Sequence, residues 1–120
     1  MDNAIGGRRV LAVVPAYNER DNIVSTIEDL RTNAPGVDYV IVNDGSKDDT
    51  LAICREHGYN VIDLPVNLGL AGAFQTGMRY AYEQDYDFAV QFDADGQHSA
   101  AYIEDMVALA ERKHVNIVIG

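Results

Sequence analysis

Two aspartates one residue apart, Asp93 and Asp95, stand at the end of an apolar run from Phe88 to Phe92, and Gln97 follows at the same spacing. A run of this length bounded by Asp and Gly reads as a buried strand. Where a strand ends, side chains at i and i+2 point to one side, so both carboxylates aim at one small volume. Carboxylates that close repel unless a cation lies between them. A hard divalent ion such as Mg²⁺ or Mn²⁺ prefers oxygen ligands, and Gln97 adds a neutral oxygen in the same phase. Asp-x-Asp-Gly is also good turn chemistry, so the pair alone leaves a metal site and a solvated turn both open. A helix–loop–helix calcium loop with Glu104 as its bidentate ligand is set aside, because the glycine is misplaced and a strand comes first.

The elements that must position this pair can be read in order. Val10 to Val14 is a β-branched run that Pro15 stops, and Ala16-Tyr17-Asn18-Glu19 follows. Asn18 can cap a helix, and Ile23, Ile27 and Leu30 give Glu19 to about Asn33 helical periodicity. Tyr39 to Val42 is a second strand, ending in Asn43-Asp44-Gly45-Ser46. Ser46 with Asp49 has the spacing of a capping box for a helix to about His57, with Gly58 at its C-cap. Val61 to Leu64 is a third strand, stopped by Pro65. Asn67 to Gly77 opens a helix to about Gln84, with Ala71, Phe74, Met78 and Ala81 on one face. Its glycines fit neither a dinucleotide fingerprint nor a phosphate loop, since Met78 follows Gly77 where Lys should stand. The plain reading is that they let the helix approach the sheet. Ser99 can cap a further helix with Ile103, Met106, Val107 and Ala110 inward, and Val115 to Ile119 is a fifth strand. This alternation predicts an α/β chain with a mostly parallel sheet and helices on both faces. In such sheets ligands bind beyond the carboxyl ends of the strands. The residue clusters at 15–19, 44–46, 67–69 and 93–95 all fall there.

Composition narrows the partners. The chain has 120 residues, 48% apolar, which suits one globular domain with a single core. With 19 acidic and 9 basic residues its formal charge is −10, which argues against nucleic acid and anionic lipid as partners. An anionic ligand would need positive charge from a metal, helix N-termini or a few placed arginines. Cys54 is the one cysteine, so no internal disulfide forms, as suits a reducing cytosol. No apolar run reaches membrane-spanning length and no signal leader is visible, so a cytoplasmic protein is expected.

Taken together, Pro-Ala-Tyr-Asn-Glu at 15–19, Asn-Asp-Gly-Ser at 43–46 with Asp48 and Thr50, Asn-Leu-Gly-Leu at 67–70 with Gly77, and Asp-Ala-Asp-Gly-Gln-His at 93–98 resemble an inverting family-2 glycosyltransferase of GT-A, Rossmann-like fold. The resemblance is greatest to the dolichol-phosphate mannosyltransferase-like branch and covers the chain from Val10 on. It implies that Pro15, Ala16, Tyr17 and Glu19 line the nucleoside pocket. It implies that Asp44 accepts hydrogen bonds from the base, and that Gly69 lets the backbone pass near the donor. Asp93 and Ala94 would lie on the sugar or ribose side, and Asp95 and Gln97, with Asp93 beside them, would hold Mg²⁺ or Mn²⁺ at the diphosphate. Arg79 reads as a solvated surface charge, and for His98 a structural and a functional reading both stand. Leu70 departs from the family, many members of which have a basic residue there, and leaves more phosphate neutralisation to the metal. Ser99-Ala100 departs from the Asp or Pro common in this branch.

The resemblance implies transfer of a sugar from a UDP- or GDP-sugar to a polyprenyl-phosphate or glycan acceptor, for cell-wall or polysaccharide synthesis, at the inner face of a membrane in the full-length protein. The acceptor portion and the base follow the donor half in this family, so the base is expected beyond Gly120. Residues 1–120 are then one nucleotide-sugar-binding domain that binds donor and transfers sugar poorly or not at all. A non-catalytic nucleotide-sugar-binding fragment is the nearest alternative. A receiver-like signalling module, with Asp63 as phosphoacceptor, fits less well because no acidic pair follows the first strand and no Lys the fifth. A sheet edge left open would be a route to a homo-oligomer.

Overall fold

A computed structural model describes residues 7–94, 100, 103, 105 and 117–119. The elements are β1 (Val10–Ala16), α1 (Ile23–Asn33), β2 (Asp38–Asp44), α2 (Thr50–Glu56), β3 (Val61–Leu64), α3 (Gly69–Glu83), β4 (Phe88–Gln91) and β5 (Ile117–Ile119). They form a five-stranded sheet in the order β3-β2-β1-β4-β5. Every pairing is parallel, as the alternating strand–helix reading requires.

β1 is the central strand, and Val10 to Val14 are wholly buried. A strand covered on both faces reads as continuous apolar sequence rather than alternation. Val10, Ala12 and Val14 pack with Ile23, Ile27 and Leu30 of α1 and Cys54 of α2. Leu11 and Val13 pack on the opposite face with Ala73 and Ala81 of α3. Ile103, which is helical, joins the α1–α2 side. Burial pushes the Cys54 thiol up to about 11, so it packs as a small apolar group and not as a thiolate.

Successive strands run outward from β1 to β3; the chain then crosses back under α3 to place β4 on the other side of β1. The gap between β1 and β4 at their carboxyl ends is therefore the topological switch point, where open parallel sheets bind ligands.

The strands fall where the apolar runs placed them, but Pro15 does not stop β1, which stays paired with β2 to Ala16, and β2 runs from Asp38 to Asp44; the helix starts shift as well. α1 begins at Ile23 rather than Glu19, and Asn18 does not cap it: Asn18 has a positive φ of 53° and its side chain turns to the β2–α2 loop. Ser46 likewise makes no capping box; its hydroxyl accepts from Asn18 N, and α2 starts at Thr50. On α3 the buried line is Ala73, Gly77 and Ala81. Phe74 and Met78 are only partly buried, and Ala71 is exposed. Small residues win that line because the helix lies close to the sheet: a Cβ at Gly77 would overlap both γ-methyls of Val13. Replacing Gly77 with Ala is expected to cost about 1–3 kcal/mol through overpacking. Urea unfolding of Gly77→Ala measures it, and an unshifted midpoint would show that α3 can lift from the sheet freely.

Candidate nucleotide cleft

A cleft of about 400 Å³ opens at the carboxyl ends of β1, β2 and β4. Pro15, Ala16, Tyr17 and Glu19 line it from the β1–α1 connection, Asp44 from the end of β2, and Gly69 from the start of α3. Asp93 and Ala94 line it from the end of β4. Asn67 and Leu70 complete the wall. The sequence placed Asn67 in a strand-end cluster and Leu70 in a motif, but assigned neither a site role. Asp95, Gln97 and His98 lie outside the described residues.

Asp44 sits at the floor, 3% exposed. Its Oδ1 accepts from Leu68 N at 2.6 Å, and its Oδ2 from Gly69 N at 2.9 Å and Asn67 Nδ2 at 3.2 Å. Asn67 Nδ2 also donates to the Asp44 carbonyl at 3.0 Å. α3 has no side-chain cap of its own; Asp44 supplies a carboxylate to its N-terminus from another strand, where it also favours the helix dipole. A carboxylate offers about four acceptor positions, so most of this one serves the fold. Gly45, at φ 69°, brings the β2 end under the same loop: a Cβ there would stand 2.5 Å from Asn67 N and 2.7 Å from the Val66 carbonyl carbon.

Asp93 is held at the cleft edge from both sides. Phe92 N donates to Val13 O, extending the ladder past β4. The Ala94 carbonyl accepts from Thr26 Oγ1 of α1, and Gln91 Nε2 donates to Asp93 Oδ1 at 3.0 Å.

The β1–α1 connection is fastened to the β2–α2 loop. Asn18 N donates to Ser46 Oγ, and Asn18 Oδ1 accepts from Lys47 N and Asp48 N. Glu19 N donates to Thr50 Oγ1 and Arg20 N to Asp48 Oδ2. Asp48 Oδ1 accepts from both the amide and the hydroxyl of Thr50. Burial by itself would raise the Asp48 pKa, but the Thr50 hydroxyl and amide and the Arg20 amide hold it below the usual carboxylate value. Beyond the motif spacing of Asp48 and Thr50, no local pattern signals this lattice.

Residues away from the cleft separate out. Arg79 is exposed and pairs with Glu83, as a solvated charge does. Asp63 lies on edge strand β3 and accepts from Asn43 Nδ2. Chemically the cleft is acidic. Glu19, Asp44 and Asp93 line it, and among the described lining residues there is no Lys or Arg. Tyr17, 42% exposed, offers an aromatic face at its mouth. Such a cleft suits an aromatic, polar ligand, and an anionic one together with a cation.

Comparison with known proteins agrees with this architecture. The family described as "Glycosyl transferase family 2" matches residues 11–120. The undecaprenyl-phosphate mannosyltransferase of Micrococcus luteus is 31% identical over 93% of this chain and 47% of its own length. The UDP-N-acetylglucosamine–dolichyl-phosphate N-acetylglucosaminyltransferase of Methanococcus voltae is 36% identical over 92% of this chain and 51% of its own. The chain thus spans about half the length of these relatives. The mannosyltransferase of Pyrobaculum calidifontis, solved with GDP-Man and Mn²⁺, superposes with a TM-score of 0.74 at 23% identity, over 86% of this chain and 32% of that one. That likeness is one of fold, and the fold is GT-A.

A folded-state pKa held below the unfolded value contributes stability that is full above the unfolded value, near 3.9, and is lost as pH falls through the lower folded one. The stability gap between the native chain and Asp48→Asn is therefore expected to shrink on acidification from about pH 5 to about pH 2. Urea unfolding of both proteins across that range checks it, and a constant gap would show that the Asp48 charge is not what the fold uses.

Proposed function

Since the chain belongs to glycosyl transferase family 2, we propose that its cleft binds a nucleotide-diphosphate sugar, UDP- or GDP-linked, and that residues 1–120 form one nucleotide-sugar-binding domain. The observation that carries this reading is the acidity of the cleft combined with its place at the switch point. Carboxylates Glu19, Asp44 and Asp93 with no basic lining residue would repel a diphosphate unless a cation came with it. The donor set fits a hard divalent ion, Mg²⁺ or Mn²⁺: Asp93 lines the cleft, and Asp95 and Gln97 add oxygen donors in the same sequence phase. Such an ion, when bound, neutralises the charge that grows on the departing diphosphate.

The chain's own residues do the binding and orienting. Tyr17 offers its ring to the base, with Pro15, Ala16 and Glu19 fixing the pocket around it. Asp44 acts mainly by holding the wall in place, with little acceptor capacity left for the base. Gly69 and Leu70 bring the first turn of α3 to the cleft wall, with the Gly69 amide already held by Asp44. Asp93 and Ala94 border the sugar side. The acceptor class is a polyprenyl phosphate, as the names of the Micrococcus and Methanococcus relatives support, or a glycan. It would place the work at a membrane surface, although no helix among the described residues is long and apolar enough to cross one. The displacement inverts the anomeric centre, as the family resemblance implies; a hydroxyl acceptor then needs a carboxylate base on its own side, a role given to no cleft residue.

Calorimetric titration of UDP, GDP and their sugar conjugates, with Mn²⁺ and with chelator, tests the reading. One nucleotide is expected to bind in a Mn²⁺-dependent way, and Asp93→Asn to weaken it about tenfold or more, the scale of a lost charge-assisted contact. Binding that ignores both the metal and Asp93 would sink the proposal.

A further inference from the structure

We infer that Asp48 and Thr50 are positioning residues for the nucleotide cleft, fixing Tyr17 and Glu19 through a hydrogen-bond relay without touching the ligand. The inference rests on the nucleotide reading above. The segment that carries Tyr17 and Glu19 lies outside the regular elements, since β1 ends at Ala16 and α1 begins at Ile23; the Glu19 carbonyl accepts from Asn22 N and Ile23 N, which ties it forward to α1. Within it Asn18 takes a left-handed φ of 53°, a conformation that persists for a non-glycine residue only where its surroundings over-determine it.

Those surroundings are the β2–α2 loop, and the relay has a fixed direction. An ionised Asp48 only accepts, so the single Thr50 hydroxyl proton goes to Asp48 Oδ1. The Thr50 oxygen is then left to accept from Glu19 N at 3.0 Å. The other Asp48 oxygen accepts from Arg20 N at 3.3 Å. The backbone on both sides of the Glu19 peptide is thereby tied to one carboxylate. Thr50 is fully buried, so water cannot readily replace its oxygen, and its loss removes this acceptor from the Glu19 amide. Replacing Asp48 with Asn puts an NH₂ donor against either the Thr50 or the Arg20 donors, whichever way the amide turns. Neither Asp48 nor Thr50 lines the cleft.

The cleft has two arms on separate loops, which makes positioning distinguishable from general damage. The relay holds the Tyr17–Glu19 arm only; Asp93 is held by Gln91, and its neighbour Ala94 by Thr26. Loss of the relay should loosen the nucleoside arm and leave the metal arm as it was.

The experiment compares the whole chain with Thr50→Val, Thr50→Ser and Asp48→Asn. It reads amide hydrogen exchange at Glu19, Arg20 and Phe92, and the Kd for UDP and GDP with Mn²⁺. Thr50→Val is expected to speed Glu19 exchange and weaken nucleotide about tenfold, with Thr50→Ser within about twofold of the native protein. Exchange at Phe92, whose amide is held by Val13 O beside Asp93 on the other arm, should not change. Asp48→Asn, at a partly buried position, should speed Arg20 exchange and weaken nucleotide in the same way, and it carries the test if Thr50→Val does not fold. Native affinity in a folded relay variant, equal loss in Thr50→Ser, or equally faster exchange at Phe92 would overturn the inference alone. A native chain that binds neither nucleotide would overturn the nucleotide reading, and this inference with it.

Discussion

The buried carboxylate of Asp44 is the contact on which the cleft most depends. It lies at the end of β2 and takes hydrogen bonds from three successive residues, Asn67 and Leu68 of the β3–α3 connection and Gly69 at the start of α3. That connection has few apolar contacts of its own: Val66, Leu68 and Leu70 are all more than half exposed. Without Asp44 the Leu68 and Gly69 amides would be left without this acceptor, and the start of α3 would have no fixed place. With it, one wall of the cleft is set by the register of the central sheet. The other walls follow the same logic. The β1–α1 wall is tied to the β2–α2 loop, and the β4 end is tied to β1 and α1. Each wall is a loop, but each is held by groups on a neighbouring element, so the site inherits the rigidity of the sheet.

The sheet can serve as that frame because β1 is covered on both faces and α3 packs against it with no room for a Cβ at Gly77, opposite Val13. Ala73 and Ala81 continue the same line of small side chains one helical turn to either side. A bulkier line would move the first turn of α3, and with it Gly69 and Leu70, away from the cleft.

Much of this was legible in the sequence because the strands are apolar runs with clear stops. Pro65 follows its strand, and the Val61–Leu64 strand fell where its residues placed it; Pro15 did not stop β1, which runs through it to Ala16. Parallel order followed from the alternation of elements, and the location of the cleft followed from the parallel order. The helix starts were harder. Asn18 has the composition of a cap, but its side chain satisfies amides of a loop some 29 residues away, and no local pattern encodes that. Ser46 is diverted for the same reason. On α3 hydrophobicity suggested Phe74 and Met78 as the inner line, whereas the separation between helix and sheet selected Ala73, Gly77 and Ala81. The Asp48–Thr50 lattice was equally hidden, since it depends on how two loops meet and not on either one. The motif residues gave the chemistry of the site, and only the structure gave the supports behind it.

The placement of β4 beside β1 has a consequence for how the chain becomes functional. β1, α1, β2, α2 and β3 are joined in sequence and can assemble as neighbours. The β1–β4 contact must wait for a segment far along the chain; Arg9 N meets Asp87 across 78 positions. Closing so long a loop costs entropy before any pairing is gained, and parallel sheets of this kind fold slowly for that reason. Asp93 reaches the cleft only through that late contact. The Tyr17–Glu19 wall of the cleft and Asp44 therefore come from elements that are neighbours in sequence, whereas Asp93 joins them only when β4 pairs with β1 across that long loop.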